Sequence, residues 1–277
     1  MAKFIPPKKQ KSYLEGPKSI FSKVRSHFAF LKWLDPFTYV DLFVMPKVKK
    51  VSKSETLEFV VNVVFAFIFA AAIYTILGLL LQTSTPLVIV YSASMENTFF
   101  RGDVMTLAKP NSADNFGEVV SLDRNIRDTA VADFASPNYT GGKLSSITFF
   151  SLDSSIAKEV LLKTDGSIVV YTAYPSGLPI IHRAIVLIHA LDGDFILTKG
   201  DNMETNKTFD EDCGSITTGS LFSQKSCITL YPVPVNELAG KVVFMIPKVG
   251  CVKLWLVDDF SSIISRGHLP GDFKGIC

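Results

Sequence analysis

From Phe59 to Leu81 the chain reads FVVNVVFAFIFAAAIYTILGLLL, 23 residues without a charge. As an α-helix this run rises about 35 Å, more than the roughly 30 Å of a bilayer's hydrocarbon core. A buried helix of a soluble domain keeps a polar face over such a length, and this one has none. The pattern therefore predicts a single transmembrane helix, placed over 57–82. It begins too late and runs too long to be the apolar part of a cleaved targeting sequence. Beyond it the period shortens. Pro86 stops the helix, and Leu87–Tyr91 is apolar and β-branched, as a strand is. Further strand-like runs are Asp103–Ala108, Ser167–Tyr174, Ile180–Ala190, Phe195–Thr198, Cys227–Tyr231 and Lys241–Ile246. Turn residues separate them, among them Arg101-Gly102-Asp103, Asp192-Gly193-Asp194 and Gly200-Asp201-Asn202.

Residues 110–165 are polar, mixed and poorly periodic, and read as an insertion. The apolar run CVKLWLV, 251–257, is too short to span a bilayer and contains Lys253. It reads as an edge strand or a shallow membrane contact. The expected fold is mainly β: a basic segment over 1–56, the transmembrane helix, an all-β extracytoplasmic domain over 83–250 carrying the insertion, and a tail over 251–277.

Charge adds an orientation. The chain is +2 overall, but residues 1–56 hold 12 Lys/Arg against four acids, a net +8, which leaves −6 for the remainder. Lys47, Lys49, Lys50 and Lys53 precede the span, and no Lys or Arg follows it until Arg101. The positive-inside rule then places the N-terminus in the cytoplasm and the β domain outside. The aromatic-basic stretch Phe28–Leu34 is expected to lie on the inner membrane surface. Basic charge confined to one end disfavours a nucleic-acid binder. Four cysteines with no CxxC pair argue against a zinc site. Cys213 and Cys227, 14 residues apart on the outer side, leave two alternatives, a disulfide-closed loop or two thiols. The sequons at Asn138 and Asn206 fall on the same side.

The densest motif is YSASMENTFFRGDV, Tyr91–Val104. A serine nucleophile needs a base within hydrogen-bond reach and a group that orients the base. Of the four histidines, His27 lies on the far side of the span and His268 in a tail of weak pattern. His182 and His189 share one strand-like run but stand seven residues apart, hence on opposite faces. The Asp192–Asp194 turn pairs their strand with the one ending in Lys199-Gly200-Asp201-Asn202, which brings His182 and Asp201 toward one end of a sheet. Spacing alone makes a Ser/His/Asp site plausible, and equally leaves KGDN as a simple turn.

Ser92-Ala93-Ser94-Met95-Glu96, Arg101-Gly102-Asp103, Ile181-His182-Arg183 and Lys199-Gly200-Asp201-Asn202, in that order behind a membrane span, resemble type I signal peptidase. Histidine in place of lysine in the third block resembles the archaeal and endoplasmic-reticulum branch. GKVVFMIP, 240–247, resembles the strand after the last block. Together these cover most of 59–250. The resemblance implies Ser94 as nucleophile, His182 as general base and Asp201 as the acid that orients the imidazole. The family's second acid, about six residues on, falls at Lys207 here, which leaves Asp210 as a weaker candidate. Ser92 matches the hydroxyl that helps the Ser94 amide form the oxyanion hole. Ala93 and Asn97 stand where the family usually has Gly and Pro, and no second span closes the chain, which leans archaeal.

The implied activity is a membrane-anchored serine endopeptidase that cleaves signal peptides from exported preproteins. Its surroundings would be the cell membrane, or the endoplasmic-reticulum membrane in a eukaryote, with the translocation channel as a neighbour and no cofactor or metal. Twelve residues between Leu81 and Ser94 keep the nucleophile near the membrane, with Met95, Phe99 and Phe100 expected to dip into its interface. An extended substrate would pair with the edge near Leu87–Tyr91. Two rivals remain at this level: an inactive β domain that binds extracellular partners, and a Ser–Lys protease whose base is Lys199.

Overall fold

The computed structural model describes residues 35–51, 54–213 and 227–268. His27 and the Phe28–Leu34 stretch lie outside the described residues. The chain forms two compact units, Met1–Ile73 and Tyr74–Cys277.

In the first unit, short helices over Pro36–Tyr39 and Met45–Val51 precede α1, Glu55–Leu81. Asp35 caps the first of them, its carboxylate accepting the Phe37 N–H at 3.0 Å, with Pro36 at the first helical position. Glu55 and Glu58 occupy the positive end of α1, and Lys49 pairs with Glu58 at 3.2 Å. No residue of α1 is buried: Phe59 is 68% exposed and Phe67 74%. Among the described residues it is the one helix long and apolar enough to cross a membrane. It ends where Gln82 takes a left-handed φ of 53° and the Thr83 N–H turns back to the Gly78 carbonyl.

The second unit is mainly β. Its strands are β1 (Leu87–Ile89), β2 (Val104–Ala108), β3 (Glu118–Ser121), β4 (Ala135–Thr140), β5 (Lys143–Phe150) and β6 (Ile156–Leu161), then β7 (Ile168–Thr172), β8 (Pro179–Ala190), β9 (Gly193–Lys199), β10 (Val233–Pro234) and β11 (Gly240–Ile246). One sheet runs β1-β2-β11-β7-β8-β9-β10, with β3 added parallel to β8. The long β8 changes neighbour along its length: Pro179–Arg183 pairs with β7, and Val186–His189 with β3. The β8–β9 hairpin closes at Asp192–Asp194 as its turn residues predict, with Arg183 opposite Lys199. His182 is 2% exposed while His189 faces outward, as alternation requires.

The insertion carries strands. After β3, β4-β5-β6 form a three-stranded antiparallel sheet. Ile147, Phe149 and Val160 on one side join Ile188, Phe195 and Phe209 in a common core. On the sheet's polar side the Asn138 amide nitrogen donates to the Ser146 and Thr148 hydroxyls at 3.0 and 2.9 Å, so that sequon nitrogen is in use. The other sequon asparagine, Asn206, is 8% exposed.

Two sequence expectations need correction. Cys227–Tyr231 forms no strand; the strand beside β9 is the short β10 that follows it. Here the backbone is used differently, since Ile228 and Thr229 N–H groups both turn to the Asp210 carbonyl. Of the two readings of the CVKLWLV run, the edge strand is overturned: the run is helical and leads into α2, Phe260–Arg266. Cys251 and Leu254, three apart, are buried while Val252, Trp255 and Leu256 face out, a helical and not a strand period.

Candidate active site

The segment between β1 and β2 closes on itself: the Val90 N–H bonds the Asp103 carbonyl and the Gly102 N–H bonds the Val90 carbonyl. Met95 (1% exposed) and Phe99 (8%) anchor the loop in a core with Val90, Met105 and Leu107. These two therefore point into the protein, contrary to the expected membrane contact, and only Phe100 of the three faces outward. Burial of Met95 fixes its neighbour Ser94, which stays partly open, with its hydroxyl 3.0 Å from that of Ser92. Asn97 takes a left-handed φ of 78°. Proline, locked near −65°, cannot enter that region, whereas asparagine tolerates it.

The KGDN block grips this loop from β9. The Asn202 N–H donates to the Ser94 carbonyl and its side-chain amide to the Ala93 carbonyl, both at 2.9 Å. The Thr98 hydroxyl donates to Asp201 Oδ2 at 2.6 Å. Gly200 is required by proximity: a Cβ there would lie 2.7 Å from the Ser94 carbonyl oxygen and 2.6 Å from Asn206 Cγ. Arg183 clamps both Asp201 oxygens, Nε at 2.8 Å and Nη2 at 2.6 Å. Burial opposes ionisation of Asp201, but the guanidinium and the Thr98 hydroxyl outweigh it and hold its carboxyl below the usual range.

Asp201 does not meet His182. The acid on the imidazole is Asp210, whose Oδ2 lies 2.5 Å from His182 Nδ1. This corrects the sequence expectation, and the reason is the strand itself. His182 and Arg183 are adjacent on β8 and so point to opposite faces, and Asp201 joins the arginine's side. Asp210 Oδ2 also accepts from the Tyr171 hydroxyl at 2.9 Å and the Thr198 hydroxyl at 2.7 Å. The segment carrying it is tied along β9, with the Asp210 N–H on the Thr198 carbonyl, and three residues further on Cys213 is bonded to Cys227. Of the two alternatives for those cysteines, the structure has the closed loop. Burial, then the nearby Asp210 charge, raises the Tyr171 hydroxyl well above its ordinary pKa.

Lys199 faces elsewhere. Its ammonium donates to the Gly200 carbonyl at 2.8 Å and lies 3.4 Å from Met203 Sδ, and burial lowers its pKa against the pull of Asp210 and Asp201. Ser92, Ser94 and His182, in contrast, all line one cavity of about 1030 Å³, walled by β1 from Leu87 to Ile89 and by Tyr171. Lys199 is not among its lining residues. A hydroxyl pair, an imidazole and an apolar trough beside an edge strand suit acyl transfer on an extended chain. No group of three His, Cys, Asp or Glu side chains among the described residues is placed to hold a metal ion.

No protein-family model matches the chain. Curated proteins named signal peptidase complex catalytic subunit SEC11 do, among them the following. That of Clavispora lusitaniae is 24% identical over 198 residues, 72% of this chain and 81% of the relative. That of Schizosaccharomyces pombe is 24% identical over 216 residues, 76% and 87%. That of Saccharomyces cerevisiae is 24% identical over 205 residues, 73% and 84%. Over most of its length the chain is thus similar to the catalytic subunits of signal peptidase complexes.

Proposed function

We propose that the protein is a membrane-anchored serine endopeptidase that removes signal peptides from exported preproteins. The observation that carries this reading is a single cavity holding Ser94 and His182, with Asp210 bonded to the far nitrogen of the imidazole. Ser94 Oγ attacks the scissile carbonyl, and His182 Nε2 takes its proton and returns it to the leaving amine. Asp210 keeps Nδ1 protonated and steadies the imidazolium. The Ser94 N–H and the Ser92 hydroxyl receive the developing oxyanion, a type of donor whose removal costs about 10²–10³ in rate. Asp201, with Asn202 and Arg183, positions the nucleophile loop.

The substrate is an extended segment laid along β1, its side chains in the apolar trough. α1 anchors the enzyme, with residues 1–56 cytoplasmic and the β unit on the outer or luminal face, in the cell membrane or the endoplasmic-reticulum membrane, near the translocation channel.

The test is cleavage of a labelled preprotein by the detergent-solubilised full chain, beside Ser94→Ala. Cleavage at the signal junction by wild type alone is expected. Equal cleavage by both would remove Ser94 from its role, and none by either folded protein would favour a β domain that only binds.

A further inference from the structure

Next to Asp210 the chain carries a second acid that the reaction does not use. Glu211 is 1% exposed, and its carboxyl bonds both the N–H and the hydroxyl of Thr198. The Thr198 N–H lies 3.2 Å from both carboxyl oxygens. The Thr198 hydroxyl lies 3.0 Å from Glu211 Oε1 and 2.7 Å from Asp210 Oδ2.

A hydroxyl has one proton, so it donates to one of these acids and accepts from the other. Asp210 Oδ2 already gathers the Tyr171 hydroxyl and His182 Nδ1, which places the negative charge there. Two adjacent buried carboxylates sharing one hydroxyl cannot both stay ionised without a cation. Among the described residues, the titratable groups packed round the pair supply none to Glu211. Tyr171 from β7 and His182 from β8 serve Asp210. Lys199 from β9 is committed to the Gly200 carbonyl, and Asp212 on the same loop takes the Tyr139 and Thr208 hydroxyls.

We propose that Glu211 is a positioning residue carried as the neutral acid, its O–H donating to Thr198 Oγ1 so that Thr198 in turn donates to Asp210. The hydrogen bonds then run one way, from Glu211 through Thr198 to the carboxylate that holds His182. Burial, then the neighbouring Asp210 charge, raises the Glu211 carboxyl well above its ordinary range, in keeping with that direction. The proposal deepens the peptidase reading and rests on it only for its effect on catalysis.

The protonation itself is read without activity, by infrared difference spectroscopy of wild type against Glu211→Gln at neutral pH. The expected result is the carbonyl stretch of a protonated carboxylic acid in wild type and its loss in the variant. A carboxylate band in its place overturns the proposal, whether or not the protein cleaves anything. In the cleavage assay Glu211→Gln, whose amide reproduces the donor, keeps wild-type turnover and an unmoved acid limb of the pH profile. Glu211→Ala loses about tenfold, the equivalent of one hydrogen bond. An acid limb displaced downward in Glu211→Gln would mean that a negative charge had been removed from beside His182, and overturns the proposal. Failure of wild type to cleave sinks the peptidase reading and leaves the infrared result to decide the proton.

Discussion

A carboxylate's work follows from the donor it meets first. Asp201 meets the Arg183 guanidinium and Asp210 meets His182, and adjacent residues on β8 enforce that division. Asp210→Asn is accordingly expected to lower kcat by about 10⁴, the scale seen when a serine-protease histidine is held in the wrong tautomer. Asp201→Asn should lower the melting temperature and lower kcat far less than Asp210→Asn, because it loosens the nucleophile loop and leaves the imidazole held. Steady-state cleavage with thermal unfolding of both variants separates the two, and equal losses of kcat with unchanged unfolding would refute the assignment. The residues alone narrowed the candidates, since a polar Ser-Ala-Ser interrupts an apolar strand and few histidines compete, and the family resemblance then singled out Ser94 and His182, which the structure sets on one cavity. The orienting acid was less legible. Asp201 sits at a turn beside the right strand, and nothing in the spacing shows that Arg183 intercepts it. Asp210 comes nine residues later, past the turn, and nothing in the spacing ties it to His182.

At the level of elements, β4–β6 act as a buttress for that acid loop. Phe209, directly before Asp210, is 2% exposed and packs in the same core as Ile147, Phe149 and Val160. The Tyr139 hydroxyl reaches Asp212 at 2.6 Å from the same sheet. Phe209→Ala should cost about 3–5 kcal/mol of stability by leaving a cavity. It should also lower kcat more than it changes KM, because Asp210 loses its fixed register. Denaturant unfolding and cleavage kinetics of this variant, beside the exposed Ile156→Ser as control, would check both parts; an unchanged kcat would detach the insertion from the site. Elements with a plain period were readable: α1 from its uncharged run, and β2, β7, β8, β9 and β11 from β-branched residues between turns. The insertion was not, since register shifts between Asn138 and Tyr139 and between Phe149 and Phe150 break the alternation of β4 and β5. The tail escaped because six apolar residues around Lys253 fit strand and helix alike, and burial of Cys251 and Leu254 decides between them.

For the molecule as a whole, the Arg183–Asp201 clamp links pH to stability. Its carboxyl is held below the unfolded value, so the stabilisation is complete above about pH 4 and fades as pH falls through the lower folded value. The melting-temperature gap between wild type and Asp201→Asn should be widest near neutrality and close in acid; a gap constant down to pH 2 or so would show that the pair is not ionic. A different consequence follows from β1, which has three residues and one neighbour in the sheet. An unpaired edge is a template for any extended chain, including a second copy of this one, and shortness is a recognised protection against such aggregation. Three residues offer too few main-chain bonds to hold two domains together. They are enough for a guest that also fills the neighbouring trough with its side chains, so the edge discriminates by what accompanies the strand as well as by the strand itself.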